Sequence, residues 1–355
     1  MNRISPFLAS LLCCCSLVDV RAQDAEEAKK QITKEAQAAI DAGLGYLKAQ
    51  QHADGSWGTQ AYHGNIAVTS LAGLAFLSGG HKSGKGPNGD VLSKAIDYII
   101  SQEDKNVPGF LHTARNALHG PMYSHAFGVL FLAEAHGTIT DKKQKEQVHA
   151  TLKRAVQLII KSQTRDGGQH DGGWRYQPRP GDADLSVTAC QVLALRAARD
   201  AGIDVPKATM DKAVDYVKRC QNMADGGFRY QTFGGASGFA RTAAALASLH
   251  RLGIQKGEPI DKGMRFLRGY KPGQKQPDPA TQMHYGYGHF YAAKAMWYAG
   301  GKDWHDWYPA IRDELQAARK KDGHWTYNLN CPHYSTAIAL IILQMPNHAL
   351  PSLKR

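Results

Sequence analysis

The chain has 355 residues, of which 43% are hydrophobic and 21% charged, and it carries a formal net charge of +12. This composition excludes wholesale disorder and supports a buried core larger than that of an ordinary single domain. Lysine and arginine are spread along the chain without a dense run, so the charge favours attraction to anionic polymers or lipid headgroups over a nucleic-acid site.

The first 22 residues resemble an export signal that is removed from the mature protein. Arg3 supplies the positive start, residues 7–18 form a short apolar stretch, and residues 20–22 allow cleavage after Ala22. Three cysteines at 13–15 lie in this stretch, but none follows a small residue, so a lipid anchor is the less favoured alternative. No later segment could span a membrane. We therefore expect an exported protein, periplasmic or secreted, with a mature net charge near +11.

Residues 23–35 form a charged, alanine-rich lead-in, and residues 36–345 then alternate between two helical patterns. The first helix of each pair has apolar residues at helical spacing and in four copies ends in Gln. The second helix follows a glycine-rich loop and opens a run of small and apolar residues. Six copies align, with a tail at 346–355, and the second helices are anchored at Thr69, His125, Thr188, Thr242, His289 and Thr336.

A recurrent turn joins the two helices in four of the six copies. Its glycine can adopt the positive φ that ends a helix, and its Asp can bond the turn backbone. We expect the aromatic ring that follows to be structural and to pack on the neighbouring repeat. Repeats two and five depart from the motif, whose copies are Asp54-Gly55-Ser56-Trp57, Asp171-Gly172-Gly173-Trp174, Asp225-Gly226-Gly227-Phe228 and Asp322-Gly323-His324-Trp325.

The sequence predicts an all-α protein, because alternating apolar and polar runs bounded by turns are missing. Helix pairs of this kind form either an open solenoid or a closed ring, and their periodicity does not choose between the two. The mature chain keeps an odd number of widely spaced cysteines, Cys190, Cys220 and Cys331. This pattern predicts buried free thiols and no disulfide framework.

Residues 51–57, which end in Trp57, resemble the QxxxGxW motif of squalene and oxidosqualene cyclases. The repetition of helix, DGGW or DGGF turn, and helix is similar to the β-subunit of protein prenyltransferases. The resemblance covers residues 36–345, and residues 334–340 look most like exported bacterial proteins of the prenyltransferase/squalene oxidase repeat type, such as those of planctomycetes. The resemblance implies an α/α toroid, in which inner helices ring a cavity and outer helices surround them.

The cyclase resemblance implies an Asp in a DxDD motif that protonates an alkene. The matching segment here is residues 182–186, which keeps Asp182 and Asp184 but has Leu185 in place of the last carboxylate. If the protein is a cyclase, these two residues are the candidate catalytic acids. The alternative interpretation is that Asp184 caps a helix that starts near Ser186.

The prenyltransferase resemblance implies a zinc ion held by Asp, Cys and His, which activates a thiolate. In the family the His lies in a Tyr-His-Thr step, and here Ser335 stands at that position between Tyr334 and Thr336. The Asp and Cys positions fall near His284 and Gly286. We therefore predict no zinc and no other cofactor.

In a toroid, the loops that precede the inner helices converge on one mouth of the cavity. Aromatic and histidine residues there could stack on sugars, hold an apolar chain or bind a metal. The alternative is that they cap helices and pack between repeats. The candidate ligand-binding residues are Trp174, Tyr176, His119, Tyr123, His125, His284, Tyr285, Tyr287, His289, Trp325, His333 and Tyr334.

These observations leave three hypotheses for the function. The first is a toroid that binds an apolar small molecule, a polymer or a protein partner in its cavity, because both family motifs are broken. The second is a terpene cyclase or isoprenoid transferase that uses Asp182 and Asp184. The third is a polysaccharide-active toroid, for which the sequence offers no lyase motif. A fold by itself does not decide between these functions.

Overall fold

The computed structural model describes residues 28–113, 120–274, 279–327 and 331–353. The predicted export signal, the start of the lead-in and His119 lie outside this part of the chain. Within it there are thirteen α-helices, together with isolated bridge pairs in place of strands. No helix in these ranges is long and apolar enough to cross a bilayer. The prediction of an all-α protein is confirmed.

The helices form six pairs, each with an outer and an inner member. The outer helices are α1 (Lys34–Ala49), α3 (Gly89–Ser101), α5 (Lys142–Ser162), α7 (Lys207–Arg219), α9 (Glu258–Leu267) and α12 (Gly301–Ala318). The inner helices are α2 (Ile66–Ser78), α4 (Pro121–His136), α6 (Leu185–Asp200), α8 (Phe239–Arg251), α11 (Tyr285–Ala299) and α13 (Pro332–Leu343). A short additional helix, α10 (Pro279–Met283), precedes α11.

The ring of inner helices is closed. Each inner helix packs on the inner helices before and after it, and α13 returns to pack on α2. The closure carries specific bonds: the amide of Gln344 donates to the carbonyl of Ala75 at 3.0 Å, and the Gly58 backbone N–H donates to His333 Nδ1 at 2.9 Å. The α/α toroid that the resemblance implied is therefore confirmed.

A repeated set of bonds, here called the turn joint, holds each turn between its two helices. In the first repeat, the backbone N–H of Trp57 donates to Thr69 Oγ1 at 3.0 Å, and its indole N–H donates to the carbonyl of Leu47 at 2.7 Å. Both bonded groups are fully buried, so each bond satisfies a donor that water cannot reach. The same backbone bond recurs in the pairs Trp174–Thr188, Phe228–Thr242 and Trp325–Thr336.

The turn glycines join one repeat to the next. Gly172 has a φ of 90°, and a Cβ placed on it would lie 2.1 Å from the carbonyl oxygen of Lys212 in α7. The same contact closes the ring, because a Cβ on Gly323 would lie 2.7 Å from the carbonyl oxygen of Ala42 in α1. The ring of Trp325 also lies against α1 at Gly43. The expected packing of this aromatic ring on the neighbouring repeat is confirmed.

The Gln that ends an outer helix also bridges two repeats. Gln163 Nε2 donates to the carbonyl of Gly172 in its own turn and to the carbonyl of Thr209 in α7, both at 2.9 Å. Gln51 and Gln221 make the corresponding pairs of bonds in their repeats. A side-chain amide with two donors suits this position because it satisfies two carbonyls at once.

Repeat two has histidine at the position where repeats one, three, four and six have threonine. The Leu111 N–H donates to His125 Nδ1, and the opposite ring nitrogen of His125 lies 3.2 Å from the carbonyl of Ala155. The ring is therefore neutral with its proton on Nε2, and burial lowers the pKa of His125 to about 4. Repeat five has lost the turn, and there His289 Nδ1 bonds the carbonyl of Tyr285 in its own helix at 3.0 Å.

Candidate functional site

The axis of the toroid is filled at mid-height. Phe127 of α4 and Phe290 of α11 meet across it with ring centroids 5.8 Å apart. Beside them, the Tyr291 hydroxyl of α11 lies 3.1 Å from Cys190 Sγ of α6. Burial raises the pKa of Cys190 to about 12, so the thiol stays protonated and unreactive. A cluster of tyrosines lies at the end where the inner helices begin.

Seven tyrosines from five repeats form this cluster, which we call the tyrosine pit. They stand at the starts of inner helices and just after turn joints. The hydroxyl of Tyr287 donates to the carbonyl of Ser186 at 3.1 Å, and the rings of Tyr285 and Tyr327 lie 4.6 Å apart. All seven keep partial contact with solvent. The pit consists of Tyr123, Tyr176, Tyr230, Tyr285, Tyr287, Tyr327 and Tyr334.

Three hydroxyls of the pit lack a protein partner in the part of the chain that the structure describes. They belong to Tyr123, Tyr327 and Tyr334, and the Tyr327 hydroxyl is fully buried. In contrast, the Tyr285 hydroxyl donates to a Glu314 carboxylate oxygen at 2.6 Å. Burial raises the pKa of Tyr123 and of Tyr334, so both hydroxyls remain neutral and can donate and accept hydrogen bonds.

Arg175 lies at the rim of the pit and joins the two candidate acids. Its Nη1 donates to Asp184 Oδ2 at 2.9 Å and to the Tyr230 hydroxyl at 2.8 Å, and its Nε lies 3.0 Å from Asp182 Oδ2. The Tyr176 and Tyr230 hydroxyls are hydrogen-bonded to each other. Three of the five guanidinium N–H groups therefore have protein acceptors, and two carboxylates lie beside its positive charge.

Asp184 is completely buried and immediately precedes helix α6 as its N-cap. Its Oδ1 accepts from the Val187 N–H at 2.9 Å, which is the bond of an N-terminal cap. The helix begins at Leu185, one residue before the position expected from the sequence. Burial raises the pKa of Asp184 to about 6, although Arg175 and the capped N–H act in the opposite direction. Asp182 in contrast is about half exposed.

The structure places several candidate residues in turn joints or between helices, away from the pit. Trp174, Trp325 and His125 are fully buried in their joints. His289 and His333 are each 2% exposed, and His333 accepts from Gly58 at the ring closure. The two tryptophans fill their joints and donate from the indole N–H to backbone carbonyls. His125 and His333 accept backbone N–H groups, whereas His289 donates to the carbonyl of Tyr285.

Five candidates do come together in the pit: Tyr123, Tyr176, Tyr285, Tyr287 and Tyr334. The side chain of His284 is exposed at the start of α11. In the described ranges, no three His, Cys, Asp or Glu side chains lie close enough together to hold a metal ion.

The sequence analysis missed Arg175 and Tyr230. The sequence contained a pattern that could have identified both residues. In three turns, the glycine is followed by an aromatic residue and, two positions after that residue, by a tyrosine. The copies are Trp174-Arg175-Tyr176, Phe228-Arg229-Tyr230 and Trp325-Thr326-Tyr327. The first aromatic residue fills the joint, and the tyrosine two positions later lies in the pit.

Comparison with protein families gives a match over residues 65–271 to the prenyltransferase alpha-alpha toroid domain. No curated protein matches the chain significantly. The family match spans more than half of the chain and includes the second to fourth turn joints.

Several solved structures share the fold. An apo type II terpene cyclase, MstE from Scytonema, is 15% identical, with a TM-score of 0.59 and coverage of 89% of this chain and 99% of that chain. An inactive variant of the α-1,6-mannanase GH76A of Salegentibacter sp. HEL1_6, in complex with α-1,6-mannotriose, is 8% identical, with a TM-score of 0.63 and coverage of 88% and 98%. A protein from Actinoplanes is 13% identical, with a TM-score of 0.56 and coverage of 88% and 99%. At these identities the likeness concerns the fold alone.

Proposed function

The chain belongs to the prenyltransferase alpha-alpha toroid family, and from that premise we propose that it is a binding protein that holds a neutral sugar unit in the tyrosine pit. The proposal extends to location: the predicted export signal would bring the pit to extracellular or periplasmic glycans. It differs from the isoprenoid chemistry of the cyclases and transferases that the sequence resembles.

The observation that carries the proposal is the set of unpartnered hydroxyls. Among the described residues, no partner bonds the hydroxyls of Tyr123, Tyr327 and Tyr334; that of Tyr327 is fully buried, and the other two are not. Covering such a group with hydrocarbon costs about 1–3 kcal/mol, because its bonds to water are lost and not replaced. A sugar supplies hydroxyls that can bond such groups, and its C–H faces can stack on tyrosine rings.

The charges around the pit favour a neutral ligand. Arg175 is a cation at the rim, and the carboxylates of Asp182 and Asp184 both lie within 3.0 Å of its nitrogens. A phosphate or uronate at this guanidinium would be repelled by the two carboxylates beside it. The positive net charge of the chain therefore does not by itself make the pit an anion site.

The same contacts oppose an acid-initiated cyclisation. A catalytic acid must present a proton to the alkene. Asp184 uses one oxygen to cap α6 and the other to accept from Arg175, and Asp182 lies half exposed against the same guanidinium. Neither carboxyl directs a free proton into an apolar cavity, which supports a binding role over the cyclase hypothesis.

Calorimetric titration tests the proposal, with α-1,6-mannotriose and other neutral oligosaccharides as probes and geranylgeraniol as the apolar competitor. We expect saturable binding of at least one saccharide. The variants Y123F and Y334F each remove a hydroxyl without changing the ring, and each should weaken binding about 5- to 15-fold, the equivalent of ~1–1.5 kcal/mol.

The variant Y285F is the matched control, since the Tyr285 hydroxyl is already bonded to Glu314. Its effect on sugar affinity should be small even if it destabilises the fold. The proposal is rejected if geranylgeraniol binds and no saccharide does, or if all three variants weaken saccharide binding equally.

A further inference from the structure

A groove on the outer helix α5 is separate from the tyrosine pit, since none of the seven tyrosines lines it. Its volume of about 590 Å³ lies within the ~300–1,000 Å³ of typical ligand sites. Val107 and Pro108 line it from the loop after α3, Leu158 from α5, and Pro178 from the segment after the third turn joint. Val107 is 42% exposed, one of four large apolar side chains that face solvent in the described ranges. The groove therefore offers apolar surface that a partner could cover.

The loop that carries Val107 is bonded to α5 and to itself. Arg154 Nε and Nη2 donate to the two carboxylate oxygens of Glu103, both at 2.6 Å. Glu103 also accepts from the Gly109 N–H at 2.7 Å, and Asp104 accepts from the Val107 N–H at 3.0 Å. Because these bonds already hold the backbone around Val107, a partner does not have to order this loop when it binds.

The charges that line the groove are positive. Its nine lining residues include three cations and no carboxylate. Glu103 neutralises Arg154, whereas Lys153 and Lys161 are exposed and, within the part of the chain that the structure describes, make no hydrogen bond or ion pair. The two lysines are eight residues apart on one helix, with Gln157 midway, so their Cα atoms are about 12 Å apart along the helix axis. The groove therefore combines apolar surface with two unpaired cations at a fixed separation.

We propose that this groove is a docking site for an extended acidic peptide segment of a partner protein, in which two carboxylates four residues apart flank an apolar side chain. In an extended chain, residues i, i+2 and i+4 point to the same side, and four residues span about 13 Å. The carboxylates pair with Lys153 and Lys161, and the apolar side chain between them lies against Leu158 and Val107. Such charge complementarity fixes the register of the segment and selects the partner. The site does not depend on sugar binding in the pit.

Fluorescence anisotropy with the full chain and a labelled peptide tests the site. The probe has the core Glu-Ser-Leu-Ser-Glu between glycines. We expect saturable binding at low ionic strength that weakens as salt is added. K153Q/K161Q should weaken it about 5- to 20-fold, because two exposed ion pairs are lost. V107S should weaken it about 3- to 10-fold through the lost apolar contact.

The matched control is K143Q/K145Q, which removes the same charge from two exposed lysines in the first turns of the same helix. It should change the affinity less than about 2-fold, since only the screened long-range attraction is altered.

Equal losses in K153Q/K161Q and K143Q/K145Q would reduce the effect to attraction by the overall charge and overturn the proposal. Equal affinity for a peptide with serine in place of the central leucine would also overturn it, because the apolar groove would then play no part. Polygalacturonate serves as the competing anionic probe. If it binds with a dependence on both lysines and the peptide shows no saturable binding at millimolar concentration, the groove is a glycan site and the peptide proposal is rejected.

Discussion

Two glycines with the same backbone conformation provide a sharp test of how the repeats are joined. Gly172 and Gly202 have φ values of 90° and 87°. A Cβ at Gly172 would lie 2.1 Å from the Lys212 carbonyl oxygen, whereas a Cβ at Gly202 would meet nothing within 4 Å. Substitution by alanine therefore imposes the same backbone strain at both positions but a steric clash at only one.

The expected magnitudes follow from these two contributions. The left-handed conformation costs alanine about 1–2 kcal/mol, and this is the full expected effect of G202A. In G172A, helix α7 must also move away from the turn, which adds about 1–3 kcal/mol as in other overpacked interiors. For a cooperative chain of this length, 1 kcal/mol corresponds to about 1.4 °C. We therefore expect Tm decreases of about 2 °C for G202A and about 3–7 °C for G172A.

Differential scanning calorimetry of the two variants and the unaltered protein measures this difference. G323A extends the comparison to the ring closure, where the added methyl group would press on the carbonyl of Ala42. It should resemble G172A. The explanation of the joint is refuted if G172A and G202A lower the Tm equally, because the contact with the next repeat would then carry no energy.

Three further outcomes are expected. The folded pKa of His125 is about 4, below its unfolded value near 6.5. The contribution of His125 to stability is therefore complete above pH 6.5 and is lost as the pH falls toward 4, by up to ~3 kcal/mol. In H125T, the Tm should decrease less between pH 7.5 and 4.5 than in the unaltered protein. D184A should lose about 1 kcal/mol more in urea unfolding than D184N, since asparagine still caps α6. T336V, which leaves the buried Trp325 N–H without an acceptor, should cost about 1–3 kcal/mol in the same assay, whereas T336S should cost clearly less.

The fold could be predicted from the sequence because the same local signals recur in most of the repeats. The turn motif, the terminal Gln and the Thr anchor recur at corresponding positions, and each has a local physical role that the structure shows. His125 was aligned with the threonines by position alone, and its ring performs the same capping bond. Closure could not be read in this way, because a solenoid and a ring use the same joint and differ only in whether the last repeat meets the first.

The candidate site was only partly readable. The tyrosines near the starts of inner helices were predicted. Tyr230 and Arg175 were missed because each follows the aromatic residue of a turn, and only that aromatic residue was considered. Histidine and tryptophan were grouped with the tyrosines as mouth residues. Their burial in joints depends on how each side chain is oriented in the folded turn, and a helix-based alignment does not give that orientation. The filling of the axis depends on contacts between repeats two and five, which no local pattern encodes.

The contact of Gly323 with Ala42 has a consequence for how the molecule comes apart. In a linear array the outermost units have one neighbour, so they fray first and need special terminal copies. Here the sixth unit rests on the first by the same glycine contact that joins the first five units in succession, and no unit is terminal. Unfolding of any unit must begin by breaking two interfaces at once, so heat or denaturant should unfold the six units together in one cooperative transition.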